Sequence, residues 1–401
     1  MEPSKRPLPI RLFNALGVKV SLDAQQMMQK AQRKTGLTNF GEGNLEEALT
    51  RLIHAIDKEA QMHAFGRFIT KERLMGILEN RLRVEEVFRL HPEIEDIQIQ
   101  APIIITGLQR TGTTRLHRLI AAHPDIRSLR SWEALNPAPI FGDNKNKKRK
   151  GHARTAEKAL RYMSPDFFAI HPVEYEAPEE DVLLNDMTLI SAVSEATMYV
   201  PSFVSWVEKQ DAVFPYRYLK RILKLLQWQK TNKRWVLKTP EHLGKMDAIF
   251  QVFPDATIIH TCRDPLSVIP SFSSMLYHSN LIFSDKVDAE KLARHWMLKD
   301  RDMLLQAMSY WDSNPDKPVL HVSYQDMLHD ASAKLEDIMR FVGLSWTHAE
   351  QASVREVNQK NKQHKYGVHN YSLNQFNITK EEVAQVFKFY YEKFSIQHDK
   401  S

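Results

Sequence analysis

Between residues 101 and 115 the chain reads Ala101-Pro-Ile-Ile-Ile-Thr-Gly-Leu-Gln-Arg-Thr-Gly-Thr-Thr-Arg115, an apolar run that leads directly into a turn bracketed by two glycines. The apolar residues 102–106 predict a buried strand, and residues 113–122 have helical periodicity. Gly107 and Gly112 permit backbone angles that other residues rarely adopt. Because the backbone amides of such a turn and the N-terminus of the next helix converge, the stretch predicts an anion-binding loop.

This loop differs from the lysine-containing loop that binds ATP. The spacing of Gly107 and Gly112 is the same, but Thr113 occupies the position of the phosphate-binding lysine. Arg110 lies inside the loop instead, and its planar, permanently charged guanidinium suits an oxyanion without a magnesium-bridged triphosphate. Taken alone, the pattern also fits a tight strand-to-helix turn that binds nothing.

Two further predicted strands end in a cation. Residues 255–262 are rich in β-branched residues and are followed by Arg263, and the short apolar run 234–237 is followed by Lys238. Ser271 lies about two turns into the helix predicted after Arg263. Ligands of open α/β sheets bind at the carboxyl ends of the strands, so we expect these side chains to meet at one edge.

Together these motifs resemble the PAPS-dependent sulfotransferases, which move a sulfonate from 3′-phosphoadenosine 5′-phosphosulfate (PAPS) to an acceptor hydroxyl or amine. The resemblance covers about residues 99–395 and is strongest to the bacterial branch with Arg-Ser/Thr-Gly-Thr-Thr loops. Four motifs in the family's order carry it: Arg110-Thr-Gly-Thr-Thr114, Lys238-Thr-Pro, Arg263-Asp-Pro with Ser271, and Tyr324-Gln-Asp-Met-Leu.

The resemblance implies roles for individual residues. The 5′-phosphosulfate would be held by five consecutive loop residues: Arg110, Thr111, Gly112, Thr113 and Thr114. Arg263 and Ser271 would hold the 3′-phosphate, and Tyr324 would be a further cofactor contact. Many relatives close a basic loop over the nucleotide, for which the local candidates are Lys362, His364, Lys365 and Tyr366. Pro270 must remove one helical hydrogen bond and predicts a kink, which leaves Ser267 and Ser273 as alternatives to Ser271.

The chemistry implied is in-line transfer served by positioning and charge stabilisation. Lys238 and Arg110 would stabilise the leaving phosphate. Glu133 and His242 compete as the general base, because branches of the family use either a glutamate or a histidine. Glu133 also fits a helix cap, and His242 also fits the start of a helix.

Composition agrees with an enzyme of this kind. The 401 residues and 43% hydrophobic content suffice for one large α/β domain. A net charge of +6, from 55 basic and 49 acidic residues, is too small to indicate nucleic-acid binding. The single cysteine, Cys262, excludes an intrachain disulfide and favours a reducing cytoplasm. No apolar run approaches the roughly 20 residues of a membrane helix, and no His/Cys cluster has the spacing of a metal site.

The sequence therefore predicts an α/β fold, with a P-loop-like parallel sheet flanked by helices in residues 99–401 and a helical N-terminal region in residues 1–98. The predicted function is a PAPS-dependent sulfotransferase that needs no metal and acts on a small-molecule or lipid-like acceptor. A homodimer is left open. A P-loop kinase-like nucleotide enzyme and a non-catalytic nucleotide-binding protein are the alternatives, and magnesium-dependent ATP binding would favour the kinase.

Overall fold

The structure is a computed structural model that describes residues 4–230, 233–360 and 371–399, apart from the side chains of residues 144, 359 and 360. It is built around a parallel five-stranded sheet in the order β2-β3-β1-β4-β5. The strands are β1 (Ile103–Gly107), β2 (Ile126–Ser128), β3 (Arg234–Lys238), β4 (Thr257–Cys262) and β5 (Val319–Ser323). The predicted α/β fold class is thereby confirmed.

Helices surround the sheet. In chain order the α-helices are α1 (Leu8–Ala15), α2 (Ala24–Thr35), α3 (Leu45–Lys58), α4 (Ala64–Leu90), α5 (Thr113–Ile120), α6 (Ser131–Leu135), α7 (Lys147–Met163), α8 (Pro165–Ile170), α9 (Val182–Asn185), α10 (Val193–Thr197), α11 (Pro201–Val207), α12 (Val213–Trp228), α13 (Met246–Val252), α14 (Pro265–Asn280), α15 (Ala289–Ser313), α16 (Tyr324–His329), α17 (Ala331–Phe341), α18 (His348–Lys360), α19 (Lys380–Val386) and α20 (Lys388–Phe394). Short 3₁₀ turns cover Pro92–Asp96, Asn144–Asn146, Asp186–Thr188, Pro240–Lys245 and Leu373–Phe376.

The central strands are buried on both faces. Side chains alternate along a strand, so Ile104 packs into one hydrophobic cluster while Ile103 and Ile105 pack into another on the opposite face. This is why β1 is an unbroken apolar run instead of an alternating one, as expected for a parallel strand covered by helices on each side. After α5 the chain forms β2 and β3 on one side of β1, and after β3 it crosses over to form β4 and β5 on the other side. The carboxyl end of β1 is therefore the topological switch point of the sheet.

The N-terminal helices share their core with the middle of the chain. Helices α1 to α4 occupy the region for which sequence periodicity predicts helix. Buried residues of α2, α3 and α4 cluster with Leu189, Met198 and Phe203 from the segment before and within α11. The division at residues 1–98 and 99–401 stays a prediction. Within the described ranges, no helix is both long and apolar enough to span a bilayer.

Candidate functional site

The loop between β1 and α5 has the backbone that its glycines predict. Gly112 has φ +87° and precedes the first residue of α5. A Cβ atom at this position would lie 2.9 Å from the Tyr324 ring, so glycine is required both for the backbone angle and for the close approach. Arg110 also has a positive φ, 67°, which is uncommon for a residue with a side chain and is a feature of ligand-binding loops.

The Arg110 side chain turns inward. Its Nε donates a hydrogen bond to Ser271 Oγ at 3.1 Å, and a terminal nitrogen donates to the Ile170 carbonyl at 3.2 Å. Burial, reinforced by the charge of Arg263, lowers the pKa of Arg110. Within the described parts of the chain, no carboxylate pairs with it. A partly buried guanidinium without a counter-charge among the described residues favours the binding of an anion.

Arg263 reaches the same loop from the end of β4. One terminal nitrogen donates to the Arg110 carbonyl at 2.8 Å, and the guanidinium carbon lies 4.1 Å from the centre of the Tyr324 ring. Its Nε is 2.8 Å from Asp399 Oδ2, a carboxylate near the C-terminus. The structure thus brings together four predicted cofactor residues, which we call the arginine cluster: Arg110, Arg263, Ser271 and Tyr324.

Ser271 lies in this cluster despite the proline before it. Helix α14 runs from Pro265 to Asn280 with Pro270 inside it. The Ser271 side chain is buried, and its hydroxyl accepts the hydrogen bond from Arg110. Ser271, the serine that the sequence favoured over Ser267 and Ser273, therefore lies against Arg110 of the β1–α5 loop.

Lys238 forms a second group at the end of β3. Its Nζ lies 3.3 Å from Thr114 Oγ1, at the start of α5, and it pairs with a Glu180 carboxylate oxygen. The backbone N–H of Lys238 donates to Asp181 Oδ1 at 2.7 Å. Thr239 Oγ1 donates to the second Glu180 oxygen at 3.4 Å. We call Lys238, Thr114, Glu180 and Asp181 the lysine cluster.

Glu180 and Asp181 are the residues that sequence reasoning missed. The run Pro178-Glu-Glu-Asp181 has the composition of a helix start, where carboxylates need no function. A helix does start here, since Asp181 is the N-cap residue of α9, but Asp181 is also buried, and Glu180 is only part-exposed and pairs with Lys238. The sequence signal for a buried carboxylate is the run of three acidic residues directly before the apolar Val182-Leu-Leu. A carboxylate that lies in a protein core is nearly always paired with another polar group.

His171 is a further polar group at this edge that the sequence analysis did not single out. Burial, together with the positive charges of Lys238 and Arg110, lowers the pKa of His171 to about 4, although Glu180 opposes the shift. The imidazole is therefore uncharged at neutral pH. His171 is thus a neutral donor or acceptor of a hydrogen bond that feels the charges of both clusters.

Glu133 lies elsewhere and has a structural role. One carboxylate oxygen accepts from the Arg130 backbone N–H at 3.0 Å, which caps α6. The other lies 3.3 Å from an Arg127 nitrogen and 2.8 Å from Lys230 Nζ. The side chain is buried, and these described contacts include neither Lys238 nor the loop. Glu133 thus forms the helix cap that the sequence analysis considered as its alternative role. These contacts do not favour Glu133 as the general base.

His242 is close to the lysine cluster but lies behind it. The residue is fully buried in the 3₁₀ turn after β3, with Nε2 3.0 Å from Asp181 Oδ2 and Nδ1 2.8 Å from the Tyr216 hydroxyl. Burial would raise the pKa of Asp181, but the neighbouring His242 outweighs this and lowers it. Nδ1 is therefore hydrogen-bonded to Tyr216, and Nε2 faces the Asp181 carboxylate inside the protein without a well-directed hydrogen bond. Lys365 and its neighbours Lys362, His364 and Tyr366 lie outside the described residues.

A cavity of about 580 Å³ lies beside Tyr216 and Glu241, which are neighbours of His242. It is bordered by Tyr216 and Glu241, together with apolar residues of α11 and α15 and the charged group of Glu195 with Lys299. Neither Lys238 nor a residue of the β1–α5 loop lines it. The cavity and the two clusters are therefore different places in the fold.

Comparison with known proteins identifies the family. The model of the sulfotransferase family matches residues 102–348, which contain β1 to β5 and both clusters. The chain belongs to the sulfotransferase family. The crystal structure of sulfotransferase STF1 from Mycobacterium tuberculosis superposes with a TM-score of 0.80 at 28% identity, covering 91% of this chain and 98% of that one. That of STF9 from Mycobacterium avium gives 0.86 at 22% identity, with 96% and 100% covered, and shows the same fold.

Two sulfotransferases of known activity are similar in sequence. The omega-hydroxy-beta-dihydromenaquinone-9 sulfotransferase Stf3 of M. tuberculosis is 23% identical over 262 residues, which is 62% of this chain. Cytosolic sulfotransferase 14 of Arabidopsis thaliana is 28% identical over 107 residues, or 24% of this chain. The match spans 64% and 30% of the length of these two proteins, respectively.

Proposed function

We propose that this sulfotransferase uses PAPS as its donor and transfers the sulfonate to a hydroxyl, or an amine, of a small or lipid-like acceptor. The observation that carries the proposal is the hydrogen bond from Arg263 to the Arg110 carbonyl, which puts the cation after β4 against the β1–α5 loop. Two adjacent cationic groups suit a nucleotide with phosphate at both its 3′ and 5′ positions. Arg263, Ser271 and Tyr324 are the proposed 3′-phosphate contacts.

The loop residues Arg110 to Thr114 are proposed to hold the 5′-phosphosulfate, with the N-terminus of α5 behind them. Lys238 is within 3.3 Å of Thr114 and is proposed to donate to the oxygen that bridges sulfur and phosphorus. Charge develops on that oxygen as the S–O bond breaks. A lysine fixed there acts by electrostatic stabilisation of the transition state.

Glu180 is the general base that the contacts favour. From its ion pair with Lys238 we infer that the Glu180 carboxylate can reach the acceptor hydroxyl, which attacks sulfur from the side opposite the bridging oxygen. During transfer the acceptor oxygen forms the new O–S bond, the bridging S–O bond breaks with its electrons going to the phosphate, and the acceptor proton moves to the Glu180 carboxylate. His171 is proposed to orient the acceptor as a neutral hydrogen-bond partner. Glu133 is less well placed for this step because its carboxylate is held by Arg127 and Lys230, and His242 is less well placed because it is fully buried between Tyr216 and Asp181.

The name of one relative, Stf3, supports the proposed class of acceptor. The name of Stf3 states a hydroxylated menaquinone, which is a long apolar molecule with a terminal hydroxyl. We propose a hydroxyl-bearing acceptor of this lipid-like or small-molecule kind for the present chain. The cytoplasmic location and the homodimer considered from the sequence stay predictions.

Nucleotide binding tests the donor directly. Isothermal titration calorimetry with 3′,5′-ADP, the product nucleotide, should show binding that does not require magnesium. Arg263→Ala should weaken that binding roughly 10- to 150-fold, since a charged hydrogen-bond partner contributes about 1.5–3 kcal/mol. Arg217→Ala, which removes an exposed arginine of α12 distant in sequence from both clusters, is the matched control and should bind as the wild type does.

The alternatives predict other results. ATP binding that depends on magnesium, with none for 3′,5′-ADP, would support the kinase-like enzyme. Binding of 3′,5′-ADP without transfer from labelled PAPS to any of a panel of alcohols, phenols, sterols and quinols would support the non-catalytic protein. Arg263→Ala binding as tightly as the wild type would contradict the proposed 3′-phosphate site.

A further inference from the structure

Three potential metal ligands meet on one face of the sheet at β4 and β5. His260 and Cys262 are two residues apart in β4, so the alternation of a strand puts both on the same face. His321 of β5 is the parallel-sheet partner of His260. No His/Cys cluster is evident from residue spacing, because His321 is far from the other two in the chain and only the register of β4 and β5 brings it alongside.

The donor atoms are spaced as one ion requires. The Nδ1 atoms of His260 and His321 are 3.0 Å apart, and Cys262 Sγ lies 3.4 Å from His260 Nδ1. One ligand atom from each of the three residues lies within 4.8 Å of the others. With Zn–N of about 2.0–2.1 Å and Zn–S of about 2.3 Å, tetrahedral geometry needs ligand atoms about 3.3–3.6 Å apart. Shifts of a few tenths of an ångström would give the two closest pairs these spacings.

The surroundings distinguish this group from exposed residues that meet by chance. His260 is fully buried and Cys262 nearly so. The His260 ring centre lies 4.9 Å from that of Trp311 and 5.2 Å from that of Phe394. His260 Nε2 is buried without a hydrogen-bond partner. A ring held by aromatic packing on one side, with Nδ1 directed at two other donors, is already oriented for a cation.

The other side of the group faces solvent. His321 packs against the same aromatic residues, with ring centres 5.1 Å from Trp311 and 4.8 Å from Phe394, yet the residue is exposed. An ion could therefore enter past His321, and a water molecule could complete its coordination from that side. Two imidazole nitrogens and one sulfur form a donor set of borderline softness, which suits Zn²⁺ and does not suit Mg²⁺ or Ca²⁺.

We propose that His260, Cys262 and His321 bind one Zn²⁺ ion, with water as the fourth ligand. On binding, the thiol of Cys262 loses its proton to solvent and the thiolate sulfur bonds to zinc, with no change of oxidation state. Cys262 directly precedes Arg263 in the chain. The ion would join β4 to β5 immediately beneath the arginine cluster and hold the end of β4 in place.

Cobalt is the spectroscopic probe for this site. The full chain, freed of metal by chelation, is titrated with Co²⁺ and then with Zn²⁺. We expect one equivalent of Co²⁺ to produce the thiolate-to-cobalt charge-transfer absorption in the near ultraviolet, and one equivalent of Zn²⁺ to abolish it. Cys262→Ser should remove this absorption band. His321→Asn should weaken Zn²⁺ binding by roughly 100-fold or more, since losing even an outer-shell partner of a metal typically costs 10- to 100-fold.

The controls separate this site from loss of folding and from binding elsewhere. His321 is exposed on one side, so the metal-free His321→Asn protein should still unfold cooperatively, at a temperature lowered only by the lost contacts with His260, Trp311 and Phe394. Zn²⁺ should raise the melting temperature of the wild type but not of this variant, because an ion that binds only the folded state stabilises it. His348→Asn, an exposed histidine on α18, should behave as the wild type.

Absence of the charge-transfer band in the wild type would overturn the proposal, as would Zn²⁺ binding that is equally tight in the wild type and in His321→Asn. Neither measurement uses a nucleotide or an acceptor. The zinc proposal therefore succeeds or fails separately from the proposed sulfonate transfer.

Discussion

The arginine cluster and the lysine cluster lie at the same edge of the sheet, but their residues come together in different ways. Arg110 lies in a glycine-bracketed loop and Arg263 directly after a strand, so short motifs mark both positions in the sequence. The lysine cluster joins Lys238 to Glu180, 58 residues earlier in the chain and not part of any motif recognised in the sequence. The residues proposed to bind the nucleotide, which local motifs mark, are thus easier to find than the carboxylate proposed to take the proton.

The largest expected effect separates the two clusters by function. Glu180→Gln should lower the sulfonate transfer rate by about 10²- to 10⁴-fold, because a positioned general base contributes that much. Its affinity for 3′,5′-ADP should stay close to that of the wild type, since the nucleotide contacts proposed above do not include Glu180. Transfer from labelled PAPS and calorimetry measure the two quantities on the same preparation.

Glu133→Gln is the matched control, because it makes the same chemical change at the glutamate that the sequence favoured. It should keep the transfer rate while lowering the free energy of unfolding by about 1–3 kcal/mol, since buried Arg127 loses its charged partner. If Glu133→Gln abolished transfer in a folded protein while Glu180→Gln did not, the assignment of the base would be reversed.

A smaller effect is expected from the backbone of the arginine cluster. Gly112→Ala should destabilise the fold by about 1–3 kcal/mol, because it places a side chain at φ +87° and against the Tyr324 ring. It should also weaken 3′,5′-ADP binding by displacing Tyr324. Urea unfolding and calorimetry test these outcomes.

Gly151→Ala provides the comparison for that change. Gly151 lies in α7, and a Cβ added there meets nothing within 4 Å. Alanine should therefore stabilise the helix by about 0.5–1 kcal/mol. Equal and small effects at both glycines would show that the loop tolerates a side chain at residue 112, contrary to the geometry.

The smallest effect concerns the carboxylate that already pairs with Arg263. Asp399 lies where a 3′-phosphate is proposed to bind, so the two anions should compete for one guanidinium. Asp399→Asn should increase the affinity for 3′,5′-ADP by about two- to five-fold, because a partly exposed ion pair contributes up to about 1 kcal/mol. Weaker nucleotide binding in this variant would indicate instead that Asp399 helps to orient Arg263.

Sequence patterns alone predicted the α/β class, the strand–loop–helix at residues 102–122 and the strands followed by Lys238 and Arg263. These predictions depend on local properties: apolar runs, glycines that allow positive φ, and cations directly after strands. The family resemblance added the expected meeting of Arg110, Arg263, Ser271 and Tyr324, and the sheet order brings these four residues together.

Long-range packing decided the rest. Glu133 caps a helix and pairs with Arg127, and His242 contacts Tyr216 and Asp181. Glu180 pairs with Lys238, which is distant from it in sequence. The register of β4 and β5 likewise set His321 beside His260. A residue's type and its near neighbours specify backbone shape, but which side chains share a buried site depends on contacts between distant segments, and only the folded chain establishes those.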